Sequence, residues 1–331
     1  MSVTIYDVAH AAGVSIATVS KALNDSYTIS EETKQRIRDI SEKMDYKPNA
    51  RAKSFACQAN GTVLFLADMH QNVAFENPHM FEIISGIVKY FDKKEYSLTI
   101  KHMTKQDAVP LIREMIQKRT ADAMIIHVSI MSSDLAALLL HMDYPYLILG
   151  KPDTHTSVCW LDVDQQYAGQ LADNYLLDKG YRRMAFIMGK EDDPLTKSRL
   201  DGMNQIMSEE ELSVEAVYNS SPYAPDEKIL DVLLKRETPP EVLICSNNHL
   251  ALQCLQHIGR LGMKIPEQIA LLTFDNYPFS MLTDPQITAV DLDMFELGMD
   301  AARFILRRIK KPNLQTQSYC TSPSILERET T

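Results

Sequence analysis

Apolar positions recur along this chain with two different periods, and the period changes near residue 61. In the first stretch Ile5, Val8, Ala9 and Ala12 fall at helical spacing. Gly13 and Val14 then supply a turn. Ser15 is placed to cap a second helix, because its hydroxyl can accept from an orphan amide of the next turn. Within that helix Val19, Ala22 and Leu23 share one face. Ile16, Ala17, Ser20 and Lys21 are left on the other, stacked as 16/20 and 17/21. Ser30 is the expected cap of a third helix, with Glu31 and Glu32 in the first turn, where the helix dipole favours acids, and Ile37, Ile40 and Met44 along its inner stripe. Three short helices around one small core predict a helix-turn-helix unit over residues 1–46.

The segment 47–60 differs. Pro48 interrupts the preceding pattern, and "NARAKSFACQAN" is helix-compatible but has only one large apolar side chain, Phe55. Such a segment forms a helix only when something packs against it. From residue 61 onward the pattern alternates between short, wholly apolar runs and amphipathic stretches. The runs include "GTVLFLAD", "YSLTIKH", "ADAMIIHV", "YPYLILG", "RRMAFIMG", "EVLICSN" and "IALLTFDN". Residues 80–91, 106–117 and 133–141 read as helices between them. Apolar strands separated by helices predict parallel sheets covered on both faces. There are too many units for one small sheet, so two doubly wound lobes are expected. Ligands of such folds bind beyond the carboxyl ends of the strands. Here those ends carry Asp68, Lys151, Asn247, Asn248, Asp275 and Asn276.

Composition narrows the reading. The longest apolar runs fall short of a membrane span, and the N-terminus lacks the basic and apolar regions of a secretory signal, so a cytoplasmic protein is expected. Five scattered cysteines without a CxxC pair fit reduced thiols better than a disulfide framework or a zinc site. The histidines show no ligand spacing, and no catalytic motif, Walker loop or dinucleotide fingerprint is present. No metal, cofactor or catalytic residue is therefore assigned. The net charge of −10 is unevenly spread. Residues 1–60 hold eight basic and seven acidic residues, leaving 26 basic and 37 acidic over the rest. Between residues 46 and 60 stand Lys47, Arg51 and Lys53 with no acid. An acidic body repels phosphate and would confine any contact with nucleic acid to the head.

The outward face of the second helix suits the DNA major groove. The apolar tips of Ile16 and Ala17 can meet thymine methyl groups, and Lys21 can donate to guanine. Thr4, Ser15, Thr18, Ser20 and Asn24 surround that stripe with short groups able to bind phosphate. The bland reading of the same residues is a pair of ordinary packed helices. Position by position, "VTIYDVAHAAGVSIATVSKALN" followed by "YKPNARAKSF" resembles the head and hinge of the lactose-repressor/galactose-repressor (LacI/GalR) family. Further blocks match in order along the whole chain: "NPHMFEIISGI", "LDVDQQYAGQLADNYLLDKGYRRMAFI", "SRLDGM", "IPEQIALLTFDN" and "DPQITAV".

The resemblance implies a small all-α head, residues 1–46, a hinge at 47–60 and an α/β body like a periplasmic binding protein. One lobe would comprise 61–160 with 291–320, the other 161–290 with 321–331, with crossings near Leu161, Val290 and Thr321. It implies base reading by Ile16, Ala17 and Lys21, where the family more often has Arg at the third position. It implies minor-groove insertion by a hinge carrying Asn49, Ala52 and Phe55, where the family usually has Leu at the last. The effector cleft would be lined by Asp68, His79, Met80, Lys151, Arg199, Asn247, Asn248 and Asp275, with Asp275 and Arg199 gripping opposite edges of one sugar ring. In the cleft there are three departures from the family: Asn248 replaces Asp, Lys151 stands where an Asp-Arg pair is common, and His79-Met80 replaces an aromatic pair.

The expected protein is thus a non-enzymatic, homodimeric transcriptional repressor of a sugar-utilisation or related operon. Its partners would be a palindromic operator in double-stranded DNA and a small-molecule effector, a sugar or sugar phosphate. The alternatives are control by a protein co-regulator, a sugar-binding module without DNA function, and an enzyme acting in the cleft.

Overall fold

The structure, a computed structural model, describes residues 3–23, 28–46, 61–71, 78–153, 157–191, 193–221, 223–311 and 317–331. The chain divides into two compact units, residues 1–61 and 62–331.

The first unit is the three-helix head: α1 Ile5–Ala12, α2 Ile16–Leu23 and α3 Glu31–Lys43. Val8, Ala9, Ala12, Val19, Ala22 and Ile37 are buried in its core, and Ile40 and Met44 pack at its edge. The turn between α1 and α2 depends on Gly13, at φ 65°, a left-handed conformation that a side chain would strain. Its N–H donates to the His10 carbonyl and that of Val14 to the Ala9 carbonyl, closing α1 with a Schellman motif. The next helix starts at Ser15, whose Oγ accepts the Thr18 N–H at 3.1 Å. Ser30 caps α3 in the same way through Thr33.

The second unit contains two six-stranded sheets. In chain order its elements are β1 Thr62–Ala67, α4 His79–Phe91, β2 Ser97–His102, α5 Ala108–Gln117, β3 Ala123–His127, α6 Ser133–His141, β4 Tyr146–Leu149, β5 Trp160–Val163, α7 Gln165–Asp178, β6 Met184–Met188, α8 Pro194–Glu209, β7 Glu215–Tyr218, α9 Glu227–Lys235, β8 Val242–Cys245, α10 Asn248–Arg260, β9 Ala270–Phe274, α11 Phe279–Leu282, β10 Thr288–Asp291, α12 Met294–Lys310, β11 Tyr319–Thr321 and β12 Ser324–Leu326. The first sheet runs β11-β5-β4-β3-β1-β2 and the second β12-β10-β9-β8-β6-β7. Every pairing is parallel except that of β12 with β10. The central strands are buried along their length, as expected for sheets covered on both faces.

The chain passes between sheets three times: after Val163, after Asp291 and between Thr321 and Ser324. All of Trp160–Val163 pairs with β4 and β11 in the first sheet, so the chain leaves that sheet after Val163, two residues beyond Leu161. On the side of α4, α7, α8 and α12, one apolar cluster unites residues of both lobes, from Phe65 and Met80 to Phe186 and Phe274. On the opposite side each lobe has a separate core, one under α5 and α6 and one under α9 and α10. Among the described residues, the lobes thus share packing on one side only.

Among the described residues no helix is long and apolar enough to cross a membrane, and no group of three or more His, Cys, Asp or Glu is arranged to hold a metal ion.

Candidate functional sites in the head and the cleft

On the head, Ile16, Ala17 and Lys21 are exposed, Ile16 to 38%. The turn that buries Val19 and Ala22 leaves them outward, and Ser20 is half-buried beside them. The surrounding hydroxyls already have local work. Thr4 donates to the Asp7 carboxylate from both its N–H (2.8 Å) and its hydroxyl (2.7 Å), which ties down the start of α1. Ser15 Oγ and Thr18 Oγ1 share a hydrogen bond of 2.8 Å. These bonds hold the helix ends in place, and each hydroxyl retains capacity for a further partner. Asn24, and the hinge residues Asn49, Ala52 and Phe55, lie outside the described residues.

In the body, a small pocket opens between the lobes, lined by Pro78, His79, Asn247, Asn248, His249, Asp275 and Tyr277. His79 begins α4 of the first lobe, and Asp275 follows β9 of the second. His79 Nε2 lies 2.9 Å from Asp275 Oδ2. Arg199, on α8, is 2% exposed and sits behind Asp275. Its Nε donates to Gln165 Oε1 and its Nη1 to the Ser246 carbonyl, both at 2.9 Å. Its guanidinium lies 4.4 Å from the Phe274 ring centroid, and its Nη2 stands 3.9 Å from Asp275 Oδ1. Arg199 and Asp275 are therefore neighbours on the same lobe. The guanidinium supports the carboxylate and does not face it across a ring-sized space.

The remaining expected residues divide by what they touch. Asn248 is buried; its Nδ2 donates to the Asp275 carbonyl at 3.0 Å, and its Oδ1 accepts from Ser280 at 2.5 Å. Asn247 caps α10 by accepting the Leu250 N–H at 3.0 Å. Met80 is 2% exposed and belongs to the core shared by the lobes. It lies on the inner stripe of α4 with Ile83 and Ile87, so helical period assigns it to packing. Lys151 is exposed, with Nζ 5.8 Å from the Trp160 ring centroid. Asp68 stands apart from the pocket with His102 (3.7 Å) and His70 (4.0 Å), at the carboxyl ends of β1 and β2. Nearby His127 is pushed down by burial to about 4, so it is neutral at pH 7.

Three residues not singled out from the sequence join the site. Asp162 Oδ2 accepts the Lys151 N–H at 2.8 Å, and its Oδ1 accepts the Val163 N–H at 2.7 Å. Burial raises its carboxyl above the usual range, although these hydrogen bonds, Gln165 and Arg199 pull the other way. Gln165 holds Arg199, and Asp193, the cap of α8, adds a second negative field to that guanidinium. A carboxylate at a strand end two residues before the first crossing is the signal that could have marked Asp162. A wider surface groove between α5 and α6, with Arg113, Asp134 and His141 at its rim, brings together none of the expected residues.

Comparison with known proteins places this geometry. Residues 4–49 match the family of bacterial regulatory proteins, lacI family, and residues 174–331 match the periplasmic binding protein-like domain. The HTH-type transcriptional repressor PurR of Vibrio atlanticus (strain LGP32) is 26% identical over 333 residues, covering 99% of this chain and 98% of the relative. Among solved structures, the Lac repressor dimer bound to operator and the anti-inducer ONPF superposes with a TM-score of 0.77 at 19% identity, covering 100% of this chain and 99% of that one. The complex of the transcriptional regulator CelR with cellobiose gives 0.69 at 20% identity, covering 99% and 100%. The structures are alike in fold, with the head and both lobes in one chain.

Proposed function

We propose that this chain, whose residues 4–49 match the lacI family of bacterial regulatory proteins, is a homodimeric repressor of a palindromic operator, switched by a small molecule bound between its lobes. The observation that carries the reading is the exposed row Ile16, Ala17 and Lys21 on a helix whose opposite face is buried. Such a row is available to base edges, with Thr4, Ser15, Thr18 and Ser20 meeting phosphate and fixing the register; Asn24, outside the described residues, is assigned to phosphate from the sequence alone.

One head buries too little surface for specific affinity, and a two-fold pair matches a palindrome. Exposed apolar side chains on the second lobe, Val232 at 73% and Leu282 at 79%, are consistent with a partner copy. The hinge residues Asn49, Ala52 and Phe55, which lie outside the described residues, are assigned to the minor groove from the sequence, with Phe55 as the wedge between base steps. A ligand that changes the angle between lobes changes the spacing of the hinges, with a coupling of about 1–3 kcal/mol.

The effector is a sugar or sugar phosphate, a class consistent with the hydrogen-bonding groups at the strand ends and with the cellobiose held by CelR. Asp275 and His79 are its principal contacts, with Arg199 and Asn248 holding Asp275 in place.

Selection of bound duplexes from a random library by the full chain tests the first half of this reading. A palindromic consensus is expected, and no enrichment over competitor would overturn it. A thermal-shift screen of sugars and sugar phosphates tests the second. Stabilisation that is lost in Asp275→Ala supports the cleft, whereas a screen without hits turns the reading towards a protein co-regulator.

A further inference from the structure

His79 and Asp275 make a direct contact between lobes, and both are held by fixed backbone. His79 opens α4, which is packed into the first lobe. Asp275 has φ 85°, in the left-handed region that non-glycine residues seldom adopt. Its N–H donates to the Val290 carbonyl at 3.0 Å, and its carbonyl accepts from Asn248. The two side chains meet at 2.9 Å with 19% and 10% of their surfaces exposed.

Their electrostatics agree with a charged pair. Burial by itself would push the His79 imidazole down. The Asp275 carboxylate, the hydrogen bond to it and Glu82 act the other way, Arg199 opposes them, and the imidazole is held above its ordinary range. Asp275, which burial would raise, is held low by His79, Arg199 and His249. These are the charged and titratable groups that face the pair: Glu82 from α4, Arg199 from α8 and His249 from α10, with Asp291 and Asp293 beyond Glu82.

The pair is also incomplete. His79 Nδ1 and Asp275 Oδ1 are buried without a hydrogen-bond partner. A buried polar atom left unpaired is destabilising, so an incoming molecule that satisfies both atoms gains by replacing the contact.

We propose that His79 and Asp275 form a proton-dependent latch across the cleft, in which the imidazolium occupies the carboxylate that a ligand needs and ties the lobes together until it is displaced. The proposal rests on the reading of this cleft as the control site. Displacement frees an imidazole that is then less basic, so binding of a neutral polyhydroxyl ligand releases a proton and weakens as pH falls.

The latch can be tested on the full chain without ligand. NMR titration of histidine-labelled protein follows His79, assigned by the signal lost in His79→Gln. Small-angle scattering at pH 5.5 and pH 9 reports the spacing of the lobes. His79 is expected to titrate above 6.5, and the scattering envelope to expand between the two pH values in wild type but not in His79→Gln or Asp275→Asn. Titration of His79 at or below 6.5, no expansion in wild type, or expansion that persists in His79→Gln overturns the latch. The wild-type titration needs no variant, and far-UV circular dichroism verifies that the variants are folded. Duplex selection at pH 7.5 is scored separately: a chain that selects an operator without a pH-dependent expansion loses the latch alone, and one that expands without selecting a duplex loses the regulator reading.

Discussion

Gly86 and Gly298 stand against each other where α4 packs on α12. A Cβ on Gly86 would lie 2.0 Å from the Phe295 carbonyl oxygen, and one on Gly298 would lie 2.1 Å from that of Ile83. The second lobe repeats the device where α7 packs on α8. There Gly169 would meet the Arg199 carbonyl oxygen and Gly202 that of Gln166, each at 2.0 Å. Asp293 and Asp164 cap α12 and α7, and each is followed five residues later by one of these glycines. Both lobes are thus closed on their shared side by helices whose backbones touch.

Gly298→Ala should therefore cost about 1–3 kcal/mol, because the clash is with backbone and cannot be relieved by a rotamer change. The control is Gly259→Ala. Gly259 lies within α10, and an added Cβ there meets nothing within 4 Å, so the better helix former should stabilise by up to about 1 kcal/mol. Urea unfolding of both variants distinguishes the two outcomes. Equal effects would remove the close approach as the reason for Gly298.

Asp173 on α7 is fully buried, and neither carboxyl oxygen has a hydrogen-bond partner. Burial raises its carboxyl from 3.8 to about 7. Between those values the folded chain keeps a proton that the unfolded chain has lost. This residue's contribution to stability consequently falls as pH rises from about 4 to about 7, by about 4 kcal/mol in total, and is flat above that. Asp173→Asn should abolish that part of the pH dependence and be more stable than wild type at pH 8. Chemical denaturation across pH 4.5–8 measures it, and parallel profiles for the two proteins would show that Asp173 is not the source.

Replacing Arg199 leaves Asp275, Gln165 and the Ser246 carbonyl without their buried partner. Arg199→Ala is expected to lose about 3–5 kcal/mol, the range for breaking a buried charged pair from one side. Arg199→Lys keeps a charge but not the planar fork or the face that lies over Phe274, so it should recover only part of the loss. Thermal unfolding of the isolated variants is sufficient. Full recovery by lysine would mean that charge alone matters there.

Lys21→Ala should cost about 1–3 kcal/mol of operator affinity and relax discrimination at one base pair. Binding to a set of single-substituted duplexes at fixed salt separates this from loss of a phosphate contact, which weakens every duplex equally.

The parts of the fold legible in the sequence are those with a strong local period. The head follows from the helical spacing of Val8, Ala12, Val19 and Ala22, and the central strands from apolar runs such as Leu64–Leu66 with turn signals at their ends. Strands β11 and β12 have only three residues each, β11 largely exposed and β12 at most half-buried, so they leave no such trace. Their place is fixed by partners far away in sequence. Asp275 and His79 line one pocket, and they were named for different reasons: Asp275 as a polar residue that follows an apolar strand, His79 only by its place in the family resemblance. Asp162, Gln165 and Asp193 escaped because no spacing unites them; they converge on Arg199 only after the chain has changed lobes. Met80 and Arg199 were expected to face a ligand, but the first is core and the second a buried support. Family position marks where a side chain originates, and packing decides which way it points.

The three passages between the sheets also govern how the molecule is made. Trp160 in β5 donates its N–H to Ser318 Oγ, 158 residues further on, beside β11. A ribosome must therefore complete most of the second lobe before it supplies α12 and the edge strand that finish the first. Until residue 294 emerges, the nascent first lobe presents Met80, Ile83 and Ile87 of α4 without the helix that covers them. Non-local pairing of this kind is slow and leaves apolar surface open in the meantime. Chaperone demand during translation should accordingly be greatest in the interval between synthesis of α4 and synthesis of α12.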